Sequence, residues 1–248
     1  MEQAYRLSAG ALLYAVLKLH KPGIYGLPNV MPKLSDKDFP AFAQDAELEL
    51  MDAGCGILSF DGEFALDESF AALLGGCADC RGVVGASLRW DGVWHKMTLY
   101  PATGAVLERE EDFTCTLRPA AQPAEALEGA LELPEDPAQP PCEVLVDTDL
   151  LEKRDLEGVM AAGCGEGQAN MILAALDGTG GYAHISRVDG REQTAELLLF
   201  YGAEGILSAG AEYSETRELL RLTPLTRAEL LEQIQTLADM SAEQEGTQ

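Results

Sequence analysis

The sequence predicts an α+β fold. Two diverged copies of a helix–helix–antiparallel sheet–helix unit would join as a pseudo-two-fold sheet with helices covering one side. Three observations lead there. Apolar patterns of helical period give way to short runs of strand period. A proline-rich stretch divides the 248 residues just past the middle. The pieces that precede this stretch recur after it in the same order.

The first helix is signalled by Ser8 as a cap, an apolar face of Leu12, Leu13, Val16 and Leu17, and a stop at Pro22-Gly23. A second helix starts at Ser35-Asp36-Lys37-Asp38, a capping-box pattern. It carries Phe39, Phe42, Ala46 and Leu50 on one face and ends at Gly54. A short third helix is expected from Asp67 to Leu74. The period then changes. Val83 to Trp90, Val93 to Tyr100 and Phe113 to Leu117 read as strands, punctuated by the hairpin signals Asp91-Gly92 and Thr103-Gly104. Pro123 to Leu131 returns to helix.

Leu133 to Pro141 holds four prolines in nine residues, which neither a helix nor a central strand tolerates. Before it come Ala53-Gly54-Cys55-Gly56, Arg89-Trp90-Asp91-Gly92, Leu99-Tyr100, Gly104-Ala105-Val106-Leu107 and Leu117-Arg118-Pro119. After it come Ala162-Gly163-Cys164-Gly165, Arg187-Val188-Asp189-Gly190, Phe200-Tyr201, Gly205-Ile206-Leu207 and Leu222-Thr223-Pro224. Chance gives one or two such matches; five in one order point to duplication. The reading divides the chain into a first repeat, 1–132, with an extra N-terminal helix, a linker, 133–142, a second repeat, 143–240, and a disordered tail, 241–248. One compact domain is the alternative. The last helix is the best specified: Thr226 and Glu229 make a capping box, Leu225 and Leu230 a hydrophobic staple, and Leu230, Ile234 and Leu237 an apolar stripe.

Forty-two acidic residues against 17 basic ones give a net charge of −25. Phosphate binding needs a cationic footprint, so nucleic acid and anionic membrane are excluded as partners, and a protein partner is favoured. Met1-Glu2-Gln3 supplies no basic n-region, and no apolar run reaches the roughly 20 residues that span a bilayer. The expected location is the cytoplasm, without membrane insertion, where the six cysteines stay reduced.

Chemistry is hard to find. Cys77-Ala78-Asp79-Cys80 has redox or half-zinc spacing, yet no second pair accompanies it and His20, His95 and His184 stand alone. It reads as small residues at a helix end. Cys55 and Cys164 read as buried small residues. Gly178-Thr179-Gly180-Gly181 lacks the lysine of a phosphate loop. The expectation is a protein with no catalytic residue, no metal site and no cofactor. Trp90 and Trp94 flank the first hairpin turn, where the second hairpin has Val188 and Glu192. They read either as a cross-strand packing pair or as an exposed anchor for a partner.

The order of pieces resembles the EspG-like chaperones of type VII (ESX) secretion systems. The resemblance rests on Leu12-Leu13, Leu27-Pro28, Leu50-Met51-Asp52-Ala53-Gly54, Phe60-Asp61-Gly62, Arg89-Trp90-Asp91-Gly92, Leu222-Thr223-Pro224 and the leucine-rich last helix. It implies a quasi-two-fold α+β architecture and a non-enzymatic cytoplasmic chaperone or adaptor for helical-hairpin secretion substrates. It assigns no contact residue, so Trp90 and Trp94 rest on the sequence pattern alone. Two other classes remain open: an acidic interaction or immunity protein that neutralises a basic partner, and an enzyme without a recognisable motif.

Overall fold

The structure, a computed structural model, describes residues 3–28, 35–137, 141–213 and 217–243. It opens on β1 (Tyr5–Ser8), which buries Tyr5 and Leu7 and exposes Arg6 and Ser8. Four residues are too few for a period-2 signal to stand out. Ser8 then caps α1 (Ala9–Lys18), its hydroxyl accepting from the Ala11 N–H at 3.1 Å. The helix buries Leu12, Ala15 and Val16 completely. Helix α2 (Phe39–Asp52) starts later than the capping-box pattern suggests, because Ser35 to Asp38 closes a turn in which the Ser35 hydroxyl donates to Asp38. A small hairpin follows, β2 (Gly56–Leu58) with β3 (Phe64–Leu66). Asp67 accepts from the N–H groups of Ser69 and Phe70 to start α3 (Glu68–Asp79), which runs on beyond Leu74 through Gly75, Gly76 and Cys77.

Four antiparallel strands come next: β4 (Gly82–Trp90), β5 (Val93–Tyr100), β6 (Ala105–Arg109) and β7 (Thr114–Pro119). Helix α4 (Pro123–Leu131) matches its expected span. The second half holds β8 (Val144–Asp147), α5 (Thr148–Glu152), α6 (Leu156–Ala161) and α7 (Glu166–Asp177). It continues through β9 (Gly181–Asp189), β10 (Glu192–Gly202), β11 (Gly205–Tyr213) and β12 (Glu218–Leu225) to α8 (Arg227–Glu243). The α8 capping box is fully formed: Thr226 N–H donates to Glu229 at 2.8 Å, and Glu229 N–H to the Thr226 hydroxyl at 3.2 Å. Ser241 to Glu243, expected in a disordered tail, continue α8, since neither Gly nor Pro interrupts them. Residues 244–248 lie outside the described residues. Of the proline-rich stretch, 133–137 and 141 carry no regular structure. Buried Gln168 clamps the chain just beyond, accepting from Cys142 N–H at 3.2 Å and donating to Cys142 C=O at 2.8 Å.

Ten strands form one antiparallel sheet in the order β1-β7-β6-β5-β4-β9-β10-β11-β12-β8. The seam between the halves is the pair β4–β9, in register from Gly82↔Asp189 to Arg89↔Tyr182. Helices occupy both faces of this sheet, not one side. On the first face, Val84, Ala86, Leu88, Leu99, Val106, Ala183, Ile185, Leu199 and Ile206 pack beneath α4 and α8. On the second face, α1, α2 and α3 cover one end over Tyr100, Ala105, Leu107, Cys115 and Leu117. Helices α5, α6 and α7 cover the other end over Phe200, Leu207 and Leu222. The reason lies in the strands. Val83 and Val84 are both buried, as are Leu99 and Tyr100, so this end of β4 and β5 is apolar on both faces and needs cover on both.

Candidate functional site

Between its two helical ends, no helix among the described residues covers the middle of the second face. Side chains cross it in rows set by the register. One row runs Arg109, Lys96, Ser87, His184 and Leu198 across β6, β5, β4, β9 and β10. The next runs Leu107, Thr98, Gly85, Ser186 and Glu196. Toward the β4–β5 turn a third row places Trp94 beside Arg89 and Tyr182. The result is a groove of about 470 Å³ lined by Ser87, Trp94, Lys96, Arg109, Tyr182 and His184 and walled by the β6–β7 turn at Glu110 to Phe113. A second hollow of about 390 Å³ adjoins it toward Tyr25 and Gly26. The loop carrying those two residues lies over the sheet here. Tyr100 donates its hydroxyl hydrogen to Tyr25 C=O, and Arg109 Nη1 donates to Gly26 C=O at 3.2 Å. A Cβ on Gly26 would lie 2.1 Å from Thr98 Oγ1, so only glycine allows this approach.

Trp94 stands half-buried at one end of the groove and is held from two sides. The Arg89 guanidinium lies 4.9 Å from its ring centroid, and the Tyr182 ring meets it edge-on at 6.0 Å. Arg89 is itself anchored: its Nη2 donates to Ala175 C=O in the last turn of α7, where the helix dipole is negative. Trp90 is elsewhere. It stacks on Tyr201 with centroids 5.7 Å apart, over the first face. The cause is register. The residues that close the β4–β5 turn are Trp90 and Val93, so Trp94 pairs with Arg89 and the two tryptophans point to opposite faces. They form neither a packing pair nor one contact patch. Register also moves their counterparts. The second hairpin closes on Asp189 and Glu192, so the position matching Trp94 is Gln193 and that matching Trp90 is Asp189, not Glu192 and Val188.

His184 does not stand alone: its Nε2 lies 3.2 Å from Glu196 Oε2. His95 is exposed on β5. Cys77 is buried in the last turn of α3, and Cys80 donates its thiol hydrogen to Gly82 C=O at 3.2 Å. Among the described residues no group of three or more His, Cys, Asp or Glu could hold a metal ion. Burial pushes the thiols of Cys55 and Cys77 up to about 12 and that of Cys115 up to about 11, so they stay protonated at neutral pH. These raised values make stability fall in alkali. An unfolded thiol ionises near pH 9, the folded ones do not, and the unfolded state gains as pH rises from about 9 toward 12. The melting temperature is expected to drop between pH 8.5 and 10.5. A Cys55→Ala/Cys77→Ala/Cys115→Ala variant should drop less; an equal drop would refute this.

No protein-family model and no curated protein matches the chain. Among solved structures it is similar to the Mycobacterium tuberculosis type VII secretion system chaperone EspG5, determined in complex with a PE25–PPE41 dimer. The TM-score is 0.63 at 14% identity, over 95% of this chain and 96% of that one. The chain has the fold of EspG5. At this identity the likeness concerns the path of the backbone, and the EspG-like resemblance read from the sequence is matched at that level. The EspG5 fold here carries no helix long and apolar enough to cross a membrane among the described residues. What sequence reading missed is the polar floor of the groove: Ser87, Lys96, Arg109, Tyr182 and His184 are far apart in the chain, and only the strand register brings them together.

Proposed function

We propose that this protein is a non-enzymatic chaperone that acts in the cytoplasm and binds a helical-hairpin substrate of a type VII secretion system. The groove on the second face is its docking site. The observation that carries this reading is a sheet face whose middle no helix of the described residues covers, in a fold shared with a chaperone solved with a protein dimer. Size supports it. The bare strip spans β6, β5, β4 and β9, and three gaps between strands make roughly 14 Å. One α-helix with its side chains is about 10–12 Å across. The strip therefore takes one helix, or the tip of a hairpin presented end-on, and not two helices lying side by side.

The same reading takes the two halves as diverged copies of one unit joined at β4–β9. Support comes from the strand order, in which β1-β7-β6-β5-β4 and β8-β12-β11-β10-β9 follow the same path inward. Each edge strand runs straight into a helix, with Ser8 capping α1 and Asp147 capping α5. The first helix thus belongs to the unit rather than being extra. Gly54 and Gly163 both take positive φ after a helix, at 71° and 113°.

The test is recovery of bound protein from the native host. Wild-type protein is expected to carry a helical secretion substrate, identified by mass spectrometry. Ser87→Trp, which fills the floor of the groove, should lose that substrate at least tenfold while its melting temperature stays within a few degrees. Recovery of a basic toxin, or undiminished recovery by folded Ser87→Trp, would overturn the assignment.

A further inference from the structure

Most described arginines and lysines of this acidic chain sit against a carboxylate, as in Arg6–Glu110, Arg118–Glu108, Arg154–Asp177 and Arg221–Glu143. Two in the groove do not. Lys96 and Arg109 are directly opposite on β5 and β6, on the second face, and neither has an ion-pair partner among the described residues. Like charges placed directly across an antiparallel pair destabilise a sheet. The carboxylates around the groove do not relieve them. Glu110 is engaged by Arg6, Glu111 accepts from Trp94 N–H at 3.3 Å, and Glu196 is held by His184 and by Gln193 at 2.7 Å. In so acidic a protein, two adjacent cations with no carboxylate among the described residues are a maintained cost.

We propose that Lys96 and Arg109 receive an acidic side chain of the docked helical partner. The inference rests on the chaperone reading and adds the chemistry of the contact: a glutamate or aspartate at the hairpin tip, set over the β5–β6 cation pair, with Trp94 packing beside it. The free protein bears the like-charge repulsion, and the bound partner relieves it. This separates the two cations from ordinary surface charges, which have no reason to be opposed and uncompensated.

The test uses three synthetic helical-hairpin peptides, identical except for Glu, Gln or Lys at the tip, titrated into the purified full-length chain by calorimetry. Wild type is expected to bind the Glu tip at least tenfold more tightly than the Gln tip, and the Lys tip least. Lys96→Glu should invert that order. Lys96→Gln should remove most of the preference for Glu over Gln. Stability gives an independent readout. Lys96→Glu turns repulsion from Arg109 into attraction, so its melting temperature is expected to rise by about 2–4 °C without ligand. Equal affinity of wild type for the three tips would overturn this inference and leave the chaperone reading standing. Binding of none of them would overturn both. A lower melting temperature for Lys96→Glu would make Lys96 a structural residue and would also overturn the inference.

Discussion

Truncation of Arg187 to alanine is expected to lower folding stability by about 3–5 kcal/mol. Arg187 is 2% exposed, the largest fully buried side chain among the described residues. Its guanidinium meets Asp189 on the same strand at 2.9 Å, and Asp189 also accepts from the Thr194 hydroxyl at 2.7 Å. The backbone makes this possible. Strand β10 bulges between Gln193 and Ala195, opposite Val188 and Arg187, and the extra residue of the bulge is Thr194. Removing the guanidinium leaves the largely buried Asp189 carboxylate without its counter-charge, which costs far more than the pair contributes. Replacing both partners by apolar residues, as in Arg187→Met/Asp189→Leu, should therefore recover most of the loss. Denaturant melts of the single and double variants decide it. A single variant within about 1 kcal/mol of wild type would show that water reaches the site.

The second large effect concerns Trp94. Trp94→Ala is expected to weaken partner binding by about 2 kcal/mol or more, roughly 30-fold, the usual result of truncating an interface tryptophan. Folding stability should fall less, by about 1–2 kcal/mol. The ring is half-buried and loses one cation–π contact with Arg89 and one edge contact with Tyr182. A core tryptophan would cost around 3–5 kcal/mol. Trp90→Ala is the built-in control: its ring lies over Tyr201 on the opposite face, so binding in the groove should not change. Pull-down of the native substrate and thermal melting of both variants test this. Undiminished binding by folded Trp94→Ala, or equal losses for Trp90 and Trp94, would remove Trp94 from the interface.

Local chemistry was legible in the sequence wherever a few adjacent residues determine it. Thr226 and Glu229, the Ser8 cap, and the Pro123 start of α4 carry their instructions within one helical turn. The turn at Asp91-Gly92 was equally plain, with φ of 49° and 77°. Features that depend on register were not. Whether Trp90 or Trp94 faces the groove depends on which pair closes the hairpin, and a shift of one residue exchanges the faces. Lys96 and Arg109 become neighbours only when β5 and β6 align. The four-residue edge strands β1 and β8 gain their pairing from β7 and β12 and have too few residues to announce themselves. The cover on both faces was written in Val83-Val84 and Leu99-Tyr100, adjacent apolar residues where a one-sided sheet alternates.

The seam at β4–β9 sets a timetable for biosynthesis. Its two strands are separated by about 100 residues, which a ribosome takes roughly 5–20 s to add. Throughout that interval β4, nine residues long with one face of Val84, Ala86 and Leu88, has no neighbour on one flank, a template for any other nascent strand. Once translation ends, the free edges of the ten-stranded sheet are the outer flanks of the four-residue β1 and β8. The heavy negative charge, spread over both halves, makes emerging chains repel one another during those seconds. The acidity then protects the unfinished molecule, whatever it does for the finished one.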